Sequence, residues 1–196
     1  MLASIEIVAV VFAIAYLALA IRQSLWCWPA ALVSVTLFTI LFFSSRLYMQ
    51  SALQFYYFGM AIYGWLEWRR GGERHAGVTV HWWPPVVHLT VIAAVVIVSV
   101  ILGSVLSQTD AAFPYLDSFA TVAALVTTFM VARKVIENWI YWFVIDLVLV
   151  YISWQSELPW TAGLYALYLI MVVIGFVSWL KSGTAASFEN NEPKAV

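Results

Sequence analysis

The chain has 196 residues, of which 64% are hydrophobic and 10% charged, with a formal net charge of −1. Soluble domains carry about 25% charged residues, so a surface that faces water all round is excluded, and the near-neutral balance gives no electrostatic footprint for nucleic acid. Cys27 is the single cysteine, which excludes an internal disulfide or a cysteine metal cluster, and no GxxxxGK[ST] loop is present to drive work with ATP.

Apolar runs recur along the chain at about 20 residues, the helix length that crosses roughly 30 Å of hydrocarbon. Seven spans are expected, over residues 4–21, 28–43, 48–68, 85–106, 117–132, 138–154 and 159–180. The first has no basic residue ahead of it, Arg22 being the first Lys or Arg, so it reads as a retained helix and not a cleaved signal. The longest connection, 69–84, carries Arg69, Arg70, Glu73 and Arg74. The tail 181–196 holds Gly, Ser, Asn and Glu and is expected to be disordered. Arg22, Arg69, Arg70, Arg74, Arg133, Lys134, Lys181 and Lys194 fall on one side of these spans and Arg46 alone on the other. The positive-inside rule then places the N-terminus outside and the C-terminus in the cytoplasm, as expected of an inner-membrane protein. Trp26, Trp28, Trp68, Trp82, Trp83, Trp154, Trp160 and Trp179 lie near helix ends and read as an interfacial aromatic belt.

Sliding the chain against itself by 111 residues lays 6–68 over 117–179 without a gap. Thirteen of 63 positions are then identical, among them Arg22/Arg133, Trp28/Trp139, Tyr57/Tyr168, Gly64/Gly175 and Trp68/Trp179. Apolar segments match by chance, so these polar and special residues carry the weight. The pattern predicts two like-oriented three-helix repeats, 4–68 and 117–180, joined by a linker helix at 85–106. This is the 3+1+3 plan of the small SWEET-like sugar transporters, with substrate near the midplane between the repeats. The linker span is nearly all Val, Ile, Ala and Leu, which suits lipid contact.

A charged side chain at a helix centre costs roughly 2.5–3.5 kcal/mol on insertion scales and normally faces a cavity or a partner. Asp146 occupies such a place in the sixth span, and Trp139, Trp142 and Asp146 follow i, i+3, i+7 spacing on one helical face. Indoles with a carboxylate suit a flat cationic ring, the ring faces by cation–π attraction and the carboxylate as a charged acceptor. The bland alternatives are an interfacial Trp139 and a structural Asp146. Gln54 and Tyr57 share a face of the third span, and Tyr165 and Tyr168 lie on the seventh; interhelical hydrogen bonding is the competing use for these groups. His75, His81 and His88 form no ligand set with acidic residues, so no metal, cofactor or catalytic residue is expected. A membrane enzyme acting on lipid would need a nucleophile beside Glu137 and Asn138, and a scaffold subunit would leave Asp146 without a ligand.

Leu47-Tyr48, Leu53-Gln54, Tyr63-Gly64-Trp65 and Trp68, then Phe113-Pro114 with Asp117-Ser118, and above all Arg133-Lys134, Glu137-Asn138-Trp139 and Trp142 resemble the bacterial nicotinamide riboside transporter (PnuC-type) family over about residues 5–180. The resemblance implies the parallel-repeat seven-helix fold, facilitated diffusion of an unphosphorylated vitamin, trapping of the product by a cytoplasmic vitamin kinase, and a homotrimer. It also implies substrate contacts through Trp142 and the group one turn on; Asn138, within the Glu-Asn-Trp element, and Trp139, Gln54, Tyr57, Tyr165 and Tyr168, on the helical faces described above, are further candidates. At that next position the family has Asn, and this chain has Asp146. Asn donates and accepts and can mirror a carboxamide, whereas an ionised Asp only accepts. A carboxylate suits the cationic thiazolium and exocyclic amine of thiamine, the substrate of the related PnuT branch, which makes thiamine the first expectation and nicotinamide riboside the alternative.

Overall fold

The computed structural model describes residues 2–44, 48–71, 77–109, 111–155 and 159–191. Arg46, Glu73, Arg74, His75 and Lys194 lie outside these residues. The chain is all-α, with seven helices: α1 (Leu2–Ile21), α2 (Cys27–Ser44), α3 (Tyr48–Arg70), α4 (Pro85–Leu106), α5 (Pro114–Ala132), α6 (Asn138–Gln155) and α7 (Pro159–Asn191). Seven helices at the expected places bear out the all-α, seven-helix part of the expectation. Proline opens α4, α5 and α7, where its missing N–H would have no helical partner anyway. Asp117 in the first turn of α5 suits the positive end of the helix dipole, and α3 closes on Arg69 and Arg70. The tail departs from expectation, because α7 continues beyond Leu180 to Asn191. Ala185, Ala186 and Glu189 favour helix, a lone Gly183 is tolerated, and Pro193 is the first residue that cannot continue it.

Among the described residues, three stretches combine full length and sustained hydropathy for a membrane crossing, Pro85–Leu106, Pro114–Ala132 and Ala162–Ser182, with shorter apolar stretches at Ile7–Ile21 and Cys27–Ile40. The lower hydropathy of α3 and α6 comes from their Gln, Asn, Asp, Tyr and Trp.

Two compact units partition the chain: Met1–Val80 with Val131–Lys134 and Val177–Val196, and His81–Met130 with Val135–Phe176. In the first, α2 packs on both α1 and α3. Ser34 Oγ donates to the Ala9 carbonyl at 2.9 Å, and the buried Trp28 indole fills the space left by Gly64, where a Cβ would collide with the ring. Trp28 meets Trp68 edge-on with centroids 5.2 Å apart, and Trp68 meets Trp179 at 6.0 Å. The Trp68 indole N–H donates to the Val131 carbonyl at 3.2 Å, and that of Trp179 to the Ala20 carbonyl at 3.0 Å. These three tryptophans are therefore interior anchors and not members of a belt. For Trp68 and Trp179 a helix-end carbonyl satisfies the buried indole N–H, and a satisfied donor inside the bundle removes the need for the interface. Trp26, Trp82 and Trp154 are exposed and keep the belt placement.

In the second unit, Val95, Ala120, Val122, Ala123, Ala124 and Ile145 form the core, with Trp142 packed against it. The buried Trp139 indole lies over Gly175. On α4 only Val95, Ser99 and Gly103 are buried, one stripe at four-residue spacing, and the exposed face of Val86, Leu89, Ile97 and Ile101 suits hydrocarbon as expected.

The turns that follow α1 and α5 are built alike. Gln23 (φ 52°) and Lys134 (φ 53°) both enter the left-handed region, at roughly 1–2 kcal/mol for a residue with a Cβ. Gln23 N bonds Ala20 O and Lys134 N bonds Val131 O, at 2.9 and 3.0 Å. Ser24 N to Leu19 O is matched by Val135 N to Met130 O, and Cys27 N to Ser24 O by Asn138 N to Val135 O. Every pair is 111 residues apart.

Candidate substrate site

Helix α6 carries the polar groups that hydrocarbon tolerates least. Its buried residues, Asn138, Trp139, Ile145, Asp146 and Ser153, lie along one stripe. Asp146 is 3% exposed, and among the described residues no hydrogen bond or ion pair engages its carboxylate. The Tyr165 and Tyr168 hydroxyls on α7 lie within its electrostatic reach, and their rings meet edge-on with centroids 6.1 Å apart. Trp142 is half-buried beside the α5 core cluster. A buried carboxylate thus stands one helical turn from an indole and near two phenols, groups that suit a flat cation.

Trp139 shares the α6 face but is sealed, with its ring against Gly175 and 2% exposure. Asn138 is fully buried at the helix start: its amide Nδ2 donates to the Val135 carbonyl at 2.6 Å, while Oδ1 has no hydrogen-bond partner among the described residues. Gln54 and Tyr57 belong to the first unit, on α3; Gln54 is buried, and Tyr57 sits edge-on to Tyr56 at 5.7 Å. Trp139, Trp142, Asp146, Asn138, Tyr165 and Tyr168 therefore share one unit, and Gln54 and Tyr57 share the other.

Two cavities open on the second unit. One of about 190 Å³ is lined by Trp139, Phe143, Val172 and Phe176, the other of about 250 Å³ by Ile92, Phe119, Tyr141 and Ile145 among others. Neither lining includes Asp146 or Trp142, and neither supplies the charged group that would orient an ionic ligand.

Two polar constellations were not legible from the sequence pattern. Near the end of α5, Arg133 Nη1 lies 3.0 Å from Glu67 Oε1 and 3.2 Å from the Tyr63 hydroxyl; the Tyr63 hydrogen bond raises the Arg133 pKa further. Lys134 places its ammonium 4.6 Å from the Trp68 ring centroid, and burial pushes that ammonium below its usual pKa. At the start of α6, Glu137 gathers His88 and the backbone of Trp83. A histidine in the first turn of a membrane helix was the signal for this cluster, since such a group needs a partner.

The family model described as nicotinamide mononucleotide transporter matches residues 3–181. The nicotinamide riboside transporter PnuC of Escherichia coli (strain K12) is 28% identical over 200 residues, covering 89% of this chain and 81% of that protein. The riboflavin/roseoflavin transporter RibM of Streptomyces davaonensis is 30% identical over 168 residues, covering 83% and 78%. The crystal structure of the vitamin B3 transporter PnuC superposes with a TM-score of 0.71 at 22% identity, covering 92% of this chain and 82% of that one, which supports the fold. With the matched model spanning nearly its whole length, the chain belongs to the nicotinamide mononucleotide transporter family and is a multi-pass membrane transporter, not an enzyme.

Proposed function

We propose that the chain carries nicotinamide riboside, an unphosphorylated vitamin with a cationic pyridinium, by facilitated diffusion, with Asp146 as the counter-charge. The observation that carries this is the buried Asp146 carboxylate, which no hydrogen bond or ion pair engages among the described residues. A charge at that depth is retained where a ligand compensates it. The carboxylate alone favours thiamine; Asp146 fits either cationic ring, and the similarity to nicotinamide riboside transporters tips the balance to nicotinamide riboside. Trp142, Tyr165 and Tyr168 supply the aromatic surround. Trp139 and Asn138 shape the start of α6, and Gln54 and Tyr57 are further candidates because an amide and a phenol inside a span need polar partners.

The same proposal includes two like-oriented repeats, α1–α3 and α5–α7, with α4 as linker. The matched turns, the Trp28–Gly64 and Trp139–Gly175 packings, and the reciprocal Trp68–Val131 and Trp179–Ala20 hydrogen bonds support it. The N-terminus lies outside and the C-terminus in the cytoplasm, where a vitamin kinase traps the product; the chain associates as a homotrimer in the inner membrane.

Proteoliposome uptake of labelled nicotinamide riboside, thiamine and riboflavin tests the substrate. Saturable, ion-independent nicotinamide riboside uptake is expected. Loss of a charged hydrogen-bonding partner costs about 1.5–3 kcal/mol, so Asp146→Ala weakens affinity for the cationic substrate roughly ten- to hundredfold. A second reading, riboflavin, is favoured by the RibM similarity. Uptake of riboflavin alone, unaffected by Asp146→Ala, establishes that reading and ends the first.

A further inference from the structure

The turn that leads into α6 is strapped by the segment that leads into α4. The His81 carbonyl accepts from Ile136 N at 3.0 Å. The Trp83 backbone N–H donates to Glu137 Oε1 at 3.1 Å. His88 Nε2 lies 2.8 Å from that same oxygen, and His88 Nδ1 lies 3.0 Å from the Tyr141 hydroxyl in the first turn of α6. Glu137 is 8% exposed, and its own carbonyl starts α6 by accepting from Ile140 N at 3.0 Å and Tyr141 N at 3.2 Å. One residue thus begins the helix through its backbone and ties that beginning to α4 through its side chain.

Relief of a buried carboxylate would explain the cluster by itself, but it does not explain where the cluster is. The position 111 residues before Glu137 is Trp26, which is exposed, lies edge-on to Trp65 with centroids 6.3 Å apart, and has no carboxylate to make such a tie. The helix after Trp26 also lacks the binding face: Ala31 and Val35 stand where α6 has Trp142 and Asp146. Of two turns with the same hydrogen bonds, the strapped one leads the helix that carries the indole and the carboxylate.

We propose that Glu137, held by His88 and the Trp83 backbone, is a positioning residue that fixes the rotation of α6 and so aims Trp142 and Asp146 at the substrate. The inference rests on the role assigned to Asp146 above. Kinetics of nicotinamide riboside uptake in proteoliposomes, with KM and maximal rate measured separately, test it. A misplacement of about 1 Å costs up to about a hundredfold, so Glu137→Ala and His88→Ala are each expected to raise KM about tenfold, with a much smaller change in maximal rate. Glu137→Gln keeps an acceptor for both donors and restores KM to near the original. The Glu137→Ala/His88→Ala double variant is no worse than the worse single one, because both act through one strap. His88→Ala leaves the α6 backbone untouched and carries the test if Glu137→Ala does not fold.

An unchanged KM in both single variants, where Asp146→Ala raises it, overturns the positioning role alone. A Glu137→Gln variant as poor as Glu137→Ala overturns it as well, since the charge would then act on the substrate directly. Asp146→Ala without effect overturns the reading beneath it.

Discussion

Gly175→Ala is the sharpest perturbation of the α6–α7 packing. A Cβ built there lies 2.5 Å from Trp139 Cη2 and Cζ3 and 2.7 Å from Cε3. Carbon atoms rest about 3.5–4.0 Å apart, so the indole must retreat by about 1 Å. Trp139 is 2% exposed, and the cavity of about 190 Å³ that it lines with Phe143, Val172 and Phe176 gives the ring partial room to yield. Overpacking of this kind costs about 1–3 kcal/mol, and replacing Gly by Ala within a helix returns up to about 1 kcal/mol, leaving a net loss of roughly 0–2 kcal/mol. Gly163 on the same helix has nothing within 4 Å of its Cβ position, so Gly163→Ala keeps only the gain. Gly64→Ala drives into Trp28 as Gly175→Ala drives into Trp139, and a similar loss of stability is expected. The functional outcomes separate: Trp139 sits on the substrate helix and Trp28 does not, so Gly175→Ala raises KM for uptake while Gly64→Ala does so less. Thermal denaturation in detergent ranks stability, and proteoliposome uptake ranks affinity. Gly175→Ala matching Gly163→Ala in stability, or equal KM effects from Gly64 and Gly175, would refute the reasoning.

Trp68→Phe and Trp179→Phe each delete one indole N–H bond to a helix-end carbonyl. Each should cost about 0.5–1.5 kcal/mol of stability, read as matching drops in melting temperature. The Arg133–Glu67 pair leaves the arginine side chain 42% exposed; a double-mutant cycle with Arg133→Gln and Glu67→Gln should give a coupling of only about 0.2–1 kcal/mol that shrinks with salt. Cys27 is fully buried, so a maleimide should label it only on unfolding, and rapid labelling of the folded protein would show that the α1–α2 turn opens.

The helices were legible because span length is a property of composition: a run of about 20 apolar residues has few alternatives to a crossing helix. Asp146 was legible for the opposite reason, as a charge where none is cheap. The Trp28, Trp68 and Trp179 placements were not, because the belt rule assigns a tryptophan by its depth in the membrane and is silent on whether it faces lipid or protein. The 111-residue register already contained the hint, since Trp28 with Gly64 and Trp139 with Gly175 are identical pairs at equal spacing, and a large ring conserved alongside a missing side chain suggests that one fills the other. The Glu137–His88 contact was invisible for want of any periodicity, its partners lying 49 residues apart on different helices. The extension of α7 was hidden by composition, because polar residues past a membrane span look like a solvated tail whether or not they are helical.

The proposed repeat also separates what the fold needs twice from what function needs once. Positions kept identical across the 111-residue offset are those of geometry: Trp28 and Trp139 on Gly64 and Gly175, and Trp68 and Trp179 on the carbonyls of Val131 and Ala20. These contacts close helix ends and set interhelical distance, and a defect in either copy loosens the bundle. Positions that diverge are those of chemistry: Trp26 against Glu137, Ala31 against Trp142, Val35 against Asp146. A single small cation needs one counter-charge, and a second buried carboxylate would add roughly another 2.5–3.5 kcal/mol of insertion cost with no ligand charge to offset it. On that argument Val35→Asp, which copies Asp146 onto α2, should lower the yield of folded protein in the membrane without tightening substrate binding. A variant that instead inserts normally and binds more tightly would mean that the α2 position meets the cation too, and that confining the site's charge to α6 is an accident of this sequence.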